Sequence, residues 1–294
     1  MPTSEQDPGT RTEGDPLVVV EELSPGVWRA TLNSRQDRNA LSGEMRETML
    51  RALRDAREAG AKVVIVRGSS GVFSSGYRLD PGAMRPSTVL ADRYRLVEVT
   101  EFLRAYRQQP VITIAEVRGH CLAGGTDLMV ASDISFAAAN ASIGVPNVRD
   151  LGITLFLPVW SWLVGPQRAK LMAVTGDVVT GEEAAQWGLV AAALPDDLLE
   201  ERVIAIAERI ALMPEELLEV AKHALNVVWD EAGLTTAVTR AAELDALAHA
   251  TRPVAAFWKH VEEGGIRKAL DARDGRFRDG RVLDLLSRPV RDDR

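Results

Sequence analysis

Along this chain the apolar residues change their period several times, and each change marks an element. Over residues 17–22 and 27–32 they run together or alternate on either side of Ser24-Pro25-Gly26, which predicts a hairpin. Ser42 then precedes Met45, Met49, Ala52, Leu53 and Ala56, spaced at the helical period and closed by Gly60, so a capped amphipathic helix is expected there. A short apolar strand follows over residues 62–67 and ends in the loop Gly68-Ser69-Ser70-Gly71. A second helix over residues 89–107 stops before Pro110, and a third strand, Val111-Ile112-Thr113-Ile114-Ala115, leads into a pair of glycines. Strand and helix alternate, the signature of an α/β domain whose largely parallel sheet places its crevice where strands end and helices begin.

Beyond a further strand over residues 133–138 the pattern turns helical. Short helices are expected over residues 166–174 and 181–187. From Asp197 onward Leu199, Val203, Ile206, Ala207 and Ile210 form one stripe, with Asp197 and Glu200 spaced as a capping box. Pro214 opens the next helix, and helical patterns occupy residues 215–229, 235–250 and 254–262. There is no internal repeat. The chain therefore divides into a leader over residues 1–15, rich in Pro, Gly, Thr and acids and expected to be disordered; an α/β core over 16–195; a helical region over 196–272 that closes the domain or grips a neighbouring subunit; and a charged, mobile tail over 273–294.

The double glycine carries the first chemical suggestion. In Gly119-His120-Cys121-Leu122-Ala123-Gly124-Gly125-Thr126-Asp127-Leu128, a helix opening at the glycines leaves its first N–H groups unpaired and positively polarised, and glycine lets a bound carbonyl approach them. Asp127, three residues after Gly124, projects from roughly the same helix face. It is placed to exchange protons with whatever the N–H holds, or simply to stabilise the helix N-terminus.

Composition narrows the class. At 294 residues, 46% hydrophobic and 26% charged, the chain resembles an ordinary globular enzyme. Its net charge of -7 argues against a nucleic-acid surface, and no apolar run reaches the length of a membrane span. The single cysteine, Cys121, forbids an internal disulfide, fits a reducing cytoplasm and reads as a small buried hydrophobe, with no base beside it to make it reactive. Four histidines scattered in sequence give no metal-ligand spacing, so no metal is expected. There is no G-x-x-x-x-G-K-[ST], no G-x-G-x-x-G after the first strand, no H-E-x-x-H and no G-x-S-x-G. Carbonyl polarisation is what remains.

Four ordered segments carry a family resemblance: Arg38-Asn39-Ala40-Leu41 before an amphipathic helix; Phe73-Ser74-Ser75-Gly76-Tyr77-Arg78-Leu79 after the strand at Val63; the glycine run ending in Asp127; and Ala141-Ser142-Ile143-Gly144-Val145-Pro146. With Thr175-Gly176-Asp177 and Glu183-Ala184-Ala185-Gln186-Trp187-Gly188-Leu189-Val190, they resemble the crotonase (enoyl-CoA hydratase/isomerase) superfamily over roughly residues 17 to 270. The resemblance implies a crotonase-like α/β spiral of ββα repeats with a C-terminal helical region that packs across a homotrimer or a hexamer. It also implies a CoA thioester as substrate. Two main-chain N–H groups, those of Tyr77 and Gly124, would hold the thioester oxygen. Such a pair stabilises the charge of an enolate by ~3 kcal/mol per donor. Tyr77 replaces the small residue usual in the family; its N–H remains and its ring reshapes the pocket. The carrier would lie along Ser75, Tyr77, Arg78 and Leu79. Arg78, where the family commonly has Asp, either meets a CoA phosphate or is a solvated loop arginine; Arg38 is a second phosphate candidate, and Lys259 a third from a neighbouring subunit.

The pattern departs from the family at its acids. Hydratases of the family use two. The first maps to Asp127, whose side chain is shorter than the usual glutamate by roughly 1.5 Å. The second maps to Asn147, and an amide does not transfer protons as a carboxylate does. Asp150 replaces it if the local turn brings it round, and is otherwise an exposed loop carboxylate. Two acids at the pocket imply hydration of a 2-enoyl-CoA. One implies proton shuttling, as in double-bond isomerisation, or another enolate reaction such as decarboxylation or C–C hydrolysis. A chain lacking working acids would be an acyl-CoA-binding subunit. Phe156, Trp160 and Trp162 either wall an acyl pocket or pack the core, and Tyr94 and Tyr106 are expected to pack beside the helix that precedes the glycines.

Overall fold

The computed structural model describes residues 15–80, 88–277 and 281–287. The expected hairpin forms from β1 (Val18–Ser24) and β2 (Val27–Leu32), paired antiparallel with Val20 opposite Ala30. Helix α1 (Gly43–Glu58) starts where Ser42 accepts the Met45 N–H at 3.1 Å, and it buries Met45, Met49, Ala52, Leu53 and Ala56. This is the stripe read from the sequence. Strand β3 (Val63–Gly68), helix α2 (Val89–Arg107), strands β4 (Ile112–Val117) and β5 (His120–Leu122), and helix α3 (Gly124–Ala131) follow. Then come β6 (Ile134–Ala138), β7 (Ser142–Gly144), α4 (Leu157–Leu163), α5 (Pro166–Thr175), β8 (Val178–Thr180), α6 (Gly181–Trp187) and β9 (Ala192–Leu194).

The main sheet has the order β1-β2-β3-β4-β6-β9, and every pair after the hairpin is parallel. A second sheet, β5-β7-β8, stands beside it. The sheet strand β4 is buried along its whole length, as a parallel strand covered on both faces must be. Helix α3 is buried at all eight positions, so it lies inside the domain rather than on it.

Four helices complete the chain before a short terminal one: α7 (Asp196–Ala211), α8 (Glu215–Glu231), α9 (Leu234–His249) and α10 (Arg252–Gly275). Helix α7 packs on β2, β3, β4 and β6. The capping box expected from Asp197 and Glu200 does not form. The N-cap is Pro195, two residues earlier, and the Glu200 carboxylate instead meets Arg29 and, at 3.1 Å, Arg67. Two arginines on the sheet outweigh one helix N–H. Helix α10 runs well past residue 262, breaking once at Gly265, where φ is 83°. It carries Arg273 buried, so the charged tail begins inside a helix. Helix α11 (Val282–Ser287) is tied to the core by Arg281 to Glu183 at 2.6 Å and by the Val282 N–H to Asp177 at 2.8 Å. The leader expected over residues 1–15 lies, except for Asp15, outside the described residues. Among the described residues no helix is long and apolar enough to cross a membrane.

Candidate active site

Three loops converge at the N-terminus of α3. Asn39, in the left-handed region at φ 55° and buried, is the clamp for the first two: its amide nitrogen donates to the Val72 carbonyl at 2.7 Å and to Ser69 at 3.1 Å. Its carbonyl accepts the Ser74 hydroxyl at 2.8 Å. The Leu41 N–H donates to the Gly76 carbonyl at 2.7 Å, and the Leu122 N–H to the Ser74 carbonyl at 3.0 Å. Gly76 is the point of closest approach. Its φ is 105°, and a Cβ there would stand 2.7 Å from the Ala123 Cβ and 3.1 Å from the Gly124 nitrogen. Ala123, at φ 52° and ψ -122°, holds a backbone conformation costing on the order of 1–3 kcal/mol. It is held by its N–H on the Gly144 carbonyl at 3.0 Å and by its own carbonyl, which accepts the Thr126 hydroxyl at 2.7 Å. The main chains of Tyr77 and Gly124 thus lie side by side, and neither amide meets an acceptor among the described residues. Two free N–H groups at the start of a buried helix are donors of the kind that can hold a negatively charged oxygen.

Asp127 lies one turn along α3 and is fully buried. One carboxylate oxygen accepts the Tyr77 hydroxyl at 2.8 Å and the Leu155 N–H at 3.2 Å; the other accepts the Phe156 N–H at 3.0 Å. Burial dominates its titration and, with the charge of Asp245 adding to it, outweighs these donors: its pKa is pushed up to about 6. The phenol is driven well above its ordinary value by its own burial and by the Asp127 charge, so Tyr77 stays protonated in its resting state. The Tyr77 ring covers Gly124 closely. A Cβ on that glycine would lie 2.7 Å from three of the ring carbons. The space the sequence suggested for a bound carbonyl is therefore shared with this ring, and Tyr77 itself is partly exposed while Asp127 is not.

The other acid position is different. Asn147 sits in the helical turn Pro146–Arg149 with its side-chain oxygen buried and unpartnered among the described residues. Asp150 faces α10, 3.8 Å from Arg273 and 3.6 Å from Arg276. Partial burial raises its pKa against the pull of those arginines. The structure brings Asp127 and Tyr77 together and turns the Asp150 carboxylate to Arg273 and Arg276 at the C-terminal end of α10. Phe156 and Trp160 are buried in the main core, whereas Trp162 is 44% exposed and stacks edge-on against Trp229. Tyr106 is buried, with its hydroxyl 2.9 Å from Ser132, but Tyr94 is exposed on the outer face of α2. Cys121 is buried, and burial pushes its thiol up, away from thiolate chemistry.

The proposed carrier residues gather at one edge. The Ser75 N–H donates to the Arg38 carbonyl at 3.0 Å, and its hydroxyl donates to the Asp37 carbonyl at 3.1 Å. Arg78 is more than half exposed, 3.6 Å from Asp37, and Leu79 packs against the cluster of Leu151, Phe257 and Trp258. Lys259 is exposed and paired only loosely with Glu263, at 3.8 Å.

Sequence reasoning missed three parts of this site: the Tyr77 hydroxyl on Asp127, the amides of Leu155 and Phe156, and a buried group of Asp92, Asp245 and His249 behind them. Only the four-residue spacing of Asp245 and His249 on one helix hinted at the last.

A family model described as enoyl-CoA hydratase/isomerase matches residues 22–257, and the chain belongs to this family, as an enzyme of the crotonase type. A probable enoyl-CoA hydratase of Rhodobacter capsulatus is 32% identical over 213 residues, 70% of this chain and 79% of that one. The zebrafish (Danio rerio) enoyl-CoA hydratase domain-containing protein 3, mitochondrial, is 29% identical over 214 residues, 71% of this chain and 73% of that one. Among solved structures, an enoyl-CoA hydratase/isomerase from Xanthobacter autotrophicus Py2 superposes with a TM-score of 0.80 at 34% identity, covering 89% of this chain and 98% of that one. An enoyl-CoA hydratase from Mycobacterium smegmatis gives 0.82 at 28% identity, covering 90% and 96%. The α/β architecture described above is thus the crotonase fold.

Proposed function

We propose that this enzyme moves a proton on an enoyl-CoA thioester by way of an enolate, with Tyr77 and Asp127 as the proton relay, and that its reaction is double-bond isomerisation. The observation that carries this reading is the 2.8 Å hydrogen bond from the Tyr77 hydroxyl to a fully buried Asp127, on the same two segments whose N–H groups are free. The thioester oxygen rests on the amides of Tyr77 and Gly124. The Tyr77 oxygen takes the α-proton of a 3-enoyl-CoA as its own proton passes to the Asp127 carboxylate, and the charge spreads onto the thioester oxygen as a dienolate. The phenol then protonates the γ-carbon, Asp127 returns the borrowed proton to Tyr77, and the product is the 2-enoyl-CoA. No atom is gained or lost. A single relay suffices, which agrees with an amide at Asn147 and with an Asp150 engaged by Arg273 and Arg276. Hydration is the second reading. It is supported by the hydratase names of the relatives, and it requires Asp150 to leave α10 and activate water.

Arg38, Ser75, Arg78 and Leu79 are assigned to the CoA moiety, without metal or other cofactor, whereas Phe156 and Trp160 serve as core packing behind the site. Exposed Leu217, Val220, Leu225 and Val228 on α8 support a homotrimer or hexamer, which sedimentation tests. The cytoplasm is our proposed compartment, and fractionation against the mitochondrial naming of the zebrafish relative decides it.

The reaction is tested by following the conjugated-thioester absorbance. A 3-enoyl-CoA should gain it at a rate that Asp127→Asn abolishes, while crotonyl-CoA should keep it. Rapid loss from crotonyl-CoA without conversion of the 3-enoyl ester overturns isomerisation in favour of hydration.

A further inference from the structure

Residues 151–156 form a strap between the turn of Asn147 and helix α4, and this strap supplies two of the three donors on Asp127. Its other end is held from α9. The Asp245 carboxylate accepts the Ile153 N–H at 2.7 Å, and His249 Nε2 donates to the Leu151 carbonyl at 3.0 Å. His249 Nδ1 lies 2.6 Å from Asp92 on α2, and Asp92 in turn accepts both Nε and Nη2 of Arg95, at 3.0 and 2.6 Å. Both ring nitrogens thus face acceptors, and although burial opposes a charge on His249, the hydrogen bond of Asp92 and the charge of Asp245 prevail and raise its pKa.

The fit at the anchor is close. Gly152 has φ 108°, and a Cβ on it would lie 2.2 Å from an Asp245 oxygen and 3.1 Å from His249 Nε2. Asp92 and Asp245 are 1% and 4% exposed, so both carboxylates are withdrawn from solvent. Burying three titratable groups is costly, and apolar packing would have joined α2 to α9 more cheaply. What the cluster provides is direction. Only Thr154 separates the Ile153 amide, fixed by Asp245, from the Leu155 amide, fixed by Asp127. A backbone held at both ends over so few residues cannot turn its amides freely, since each residue has only two soft dihedrals.

We propose that Asp245 and His249 are positioning residues for the relay, orienting the strap so that the Leu155 and Phe156 amides hold Asp127 against the Tyr77 hydroxyl. Resting on the function proposed above, this adds the device that sets its geometry. A displacement of about an ångström at a proton-transferring group can cost on the order of 100-fold in rate.

The experiment uses the full-length chain with Asp245→Ala and, as the isosteric control that keeps an oxygen for the Ile153 amide, Asp245→Asn. Two quantities are read: backbone hydrogen exchange of the 151–156 segment, and steady-state exchange of the α-proton of butyryl-CoA. We expect Asp245→Ala to speed strap exchange at least tenfold and to lower kcat about tenfold with KM within twofold, because the carrier residues lie elsewhere. Asp245→Asn should recover most of both. Unchanged strap exchange in a folded variant overturns the proposal, as does faster strap exchange with full kcat. Should Asp245→Ala fail to fold, Asp245→Asn still decides: its strap must exchange at a rate near wild type and its kcat must stay within about threefold. If the wild-type protein shows no α-proton exchange at all, the proposed function fails, and strap exchange alone then tests the anchor.

Discussion

Replacing Asp127 by Asn should abolish turnover and yet make the protein more stable at neutral pH. The folded carboxyl titrates at about 6 against an ordinary value of 3.8. For an acid, a raised folded pKa means that the fold favours the protonated form. The stability is fully present below 3.8, falls as pH rises towards about 6, and stays lost above it. A difference of about two units corresponds to roughly 3 kcal/mol of strain at pH 7. An asparagine carries no charge and avoids this cost, but it offers one acceptor oxygen to three donors, the Tyr77 hydroxyl and the Leu155 and Phe156 amides. Leaving one of them poorly paired costs about 1–2 kcal/mol. The net expectation is a variant more stable by about 1–2 kcal/mol at pH 7, a rise in Tm of roughly 2–5 °C for a protein of this size. Calorimetry at pH 7.5 and pH 4.5 tests this, and the advantage of the variant should shrink or reverse at the lower pH. A variant destabilised by more than about 1 kcal/mol at pH 7.5, with the pH dependence of the wild type, would refute the reasoning and make Asp127 a structural anchor.

Other consequences are simpler to test. Because the relay needs an ionised Asp127, kcat/KM, which reports the free enzyme, should rise with pH through about 6 and level off above it; a pH-independent kcat/KM down to pH 4.5 would argue against a carboxylate base. Gly124→Ala places a methyl group 2.7 Å from the Tyr77 ring, so the ring must move off α3, and kcat should drop by on the order of 100-fold while the near-ultraviolet tyrosine signal changes. The double change Arg38→Ala and Arg78→Ala should raise KM for the CoA ester about three- to tenfold and leave kcat nearly untouched, and a pantetheine ester lacking the nucleotide should not feel it. Equal effects on both esters would place these arginines outside the carrier site.

Much of the fold could be read from residues whose local physics points one way. Met45 to Ala56 share a helix face with a serine cap in front, and the structure buries that face as expected. The glycine pair before Asp127 likewise marked the start of a helix. The misreadings came where tertiary contacts override local signals. Asp197 and Glu200 have capping-box spacing, yet Glu200 is claimed by arginines distant in sequence. Arg273 looks like the first residue of a tail, but its guanidinium is buried beside Asp150 and Asp274. At the site, the juxtaposition of the Tyr77 and Gly124 amides followed from motif spacing because backbone donors depend little on side-chain identity. The relay did not, because nothing in the sequence says whether a tyrosine at position 77 swings outward or lies on Gly124. The amides of Leu155 and Phe156 were invisible for a related reason: every residue except proline carries an N–H, and only the path of the chain decides which ones meet a carboxylate.

The central claim, that Tyr77 and Asp127 pass a proton to and from a thioester α-carbon, is tested most directly by deuterium exchange into butyryl-CoA in D2O, a substrate that can enolise but neither isomerise nor hydrate. The wild-type protein should incorporate deuterium at the α-carbon, Asp127→Asn should not, and Tyr77→Phe should be slower by at least 100-fold although both main-chain donors remain. Incorporation by Tyr77→Phe at the wild-type rate would remove the phenol from the mechanism, and the same result for Asp127→Asn would contradict the account as a whole.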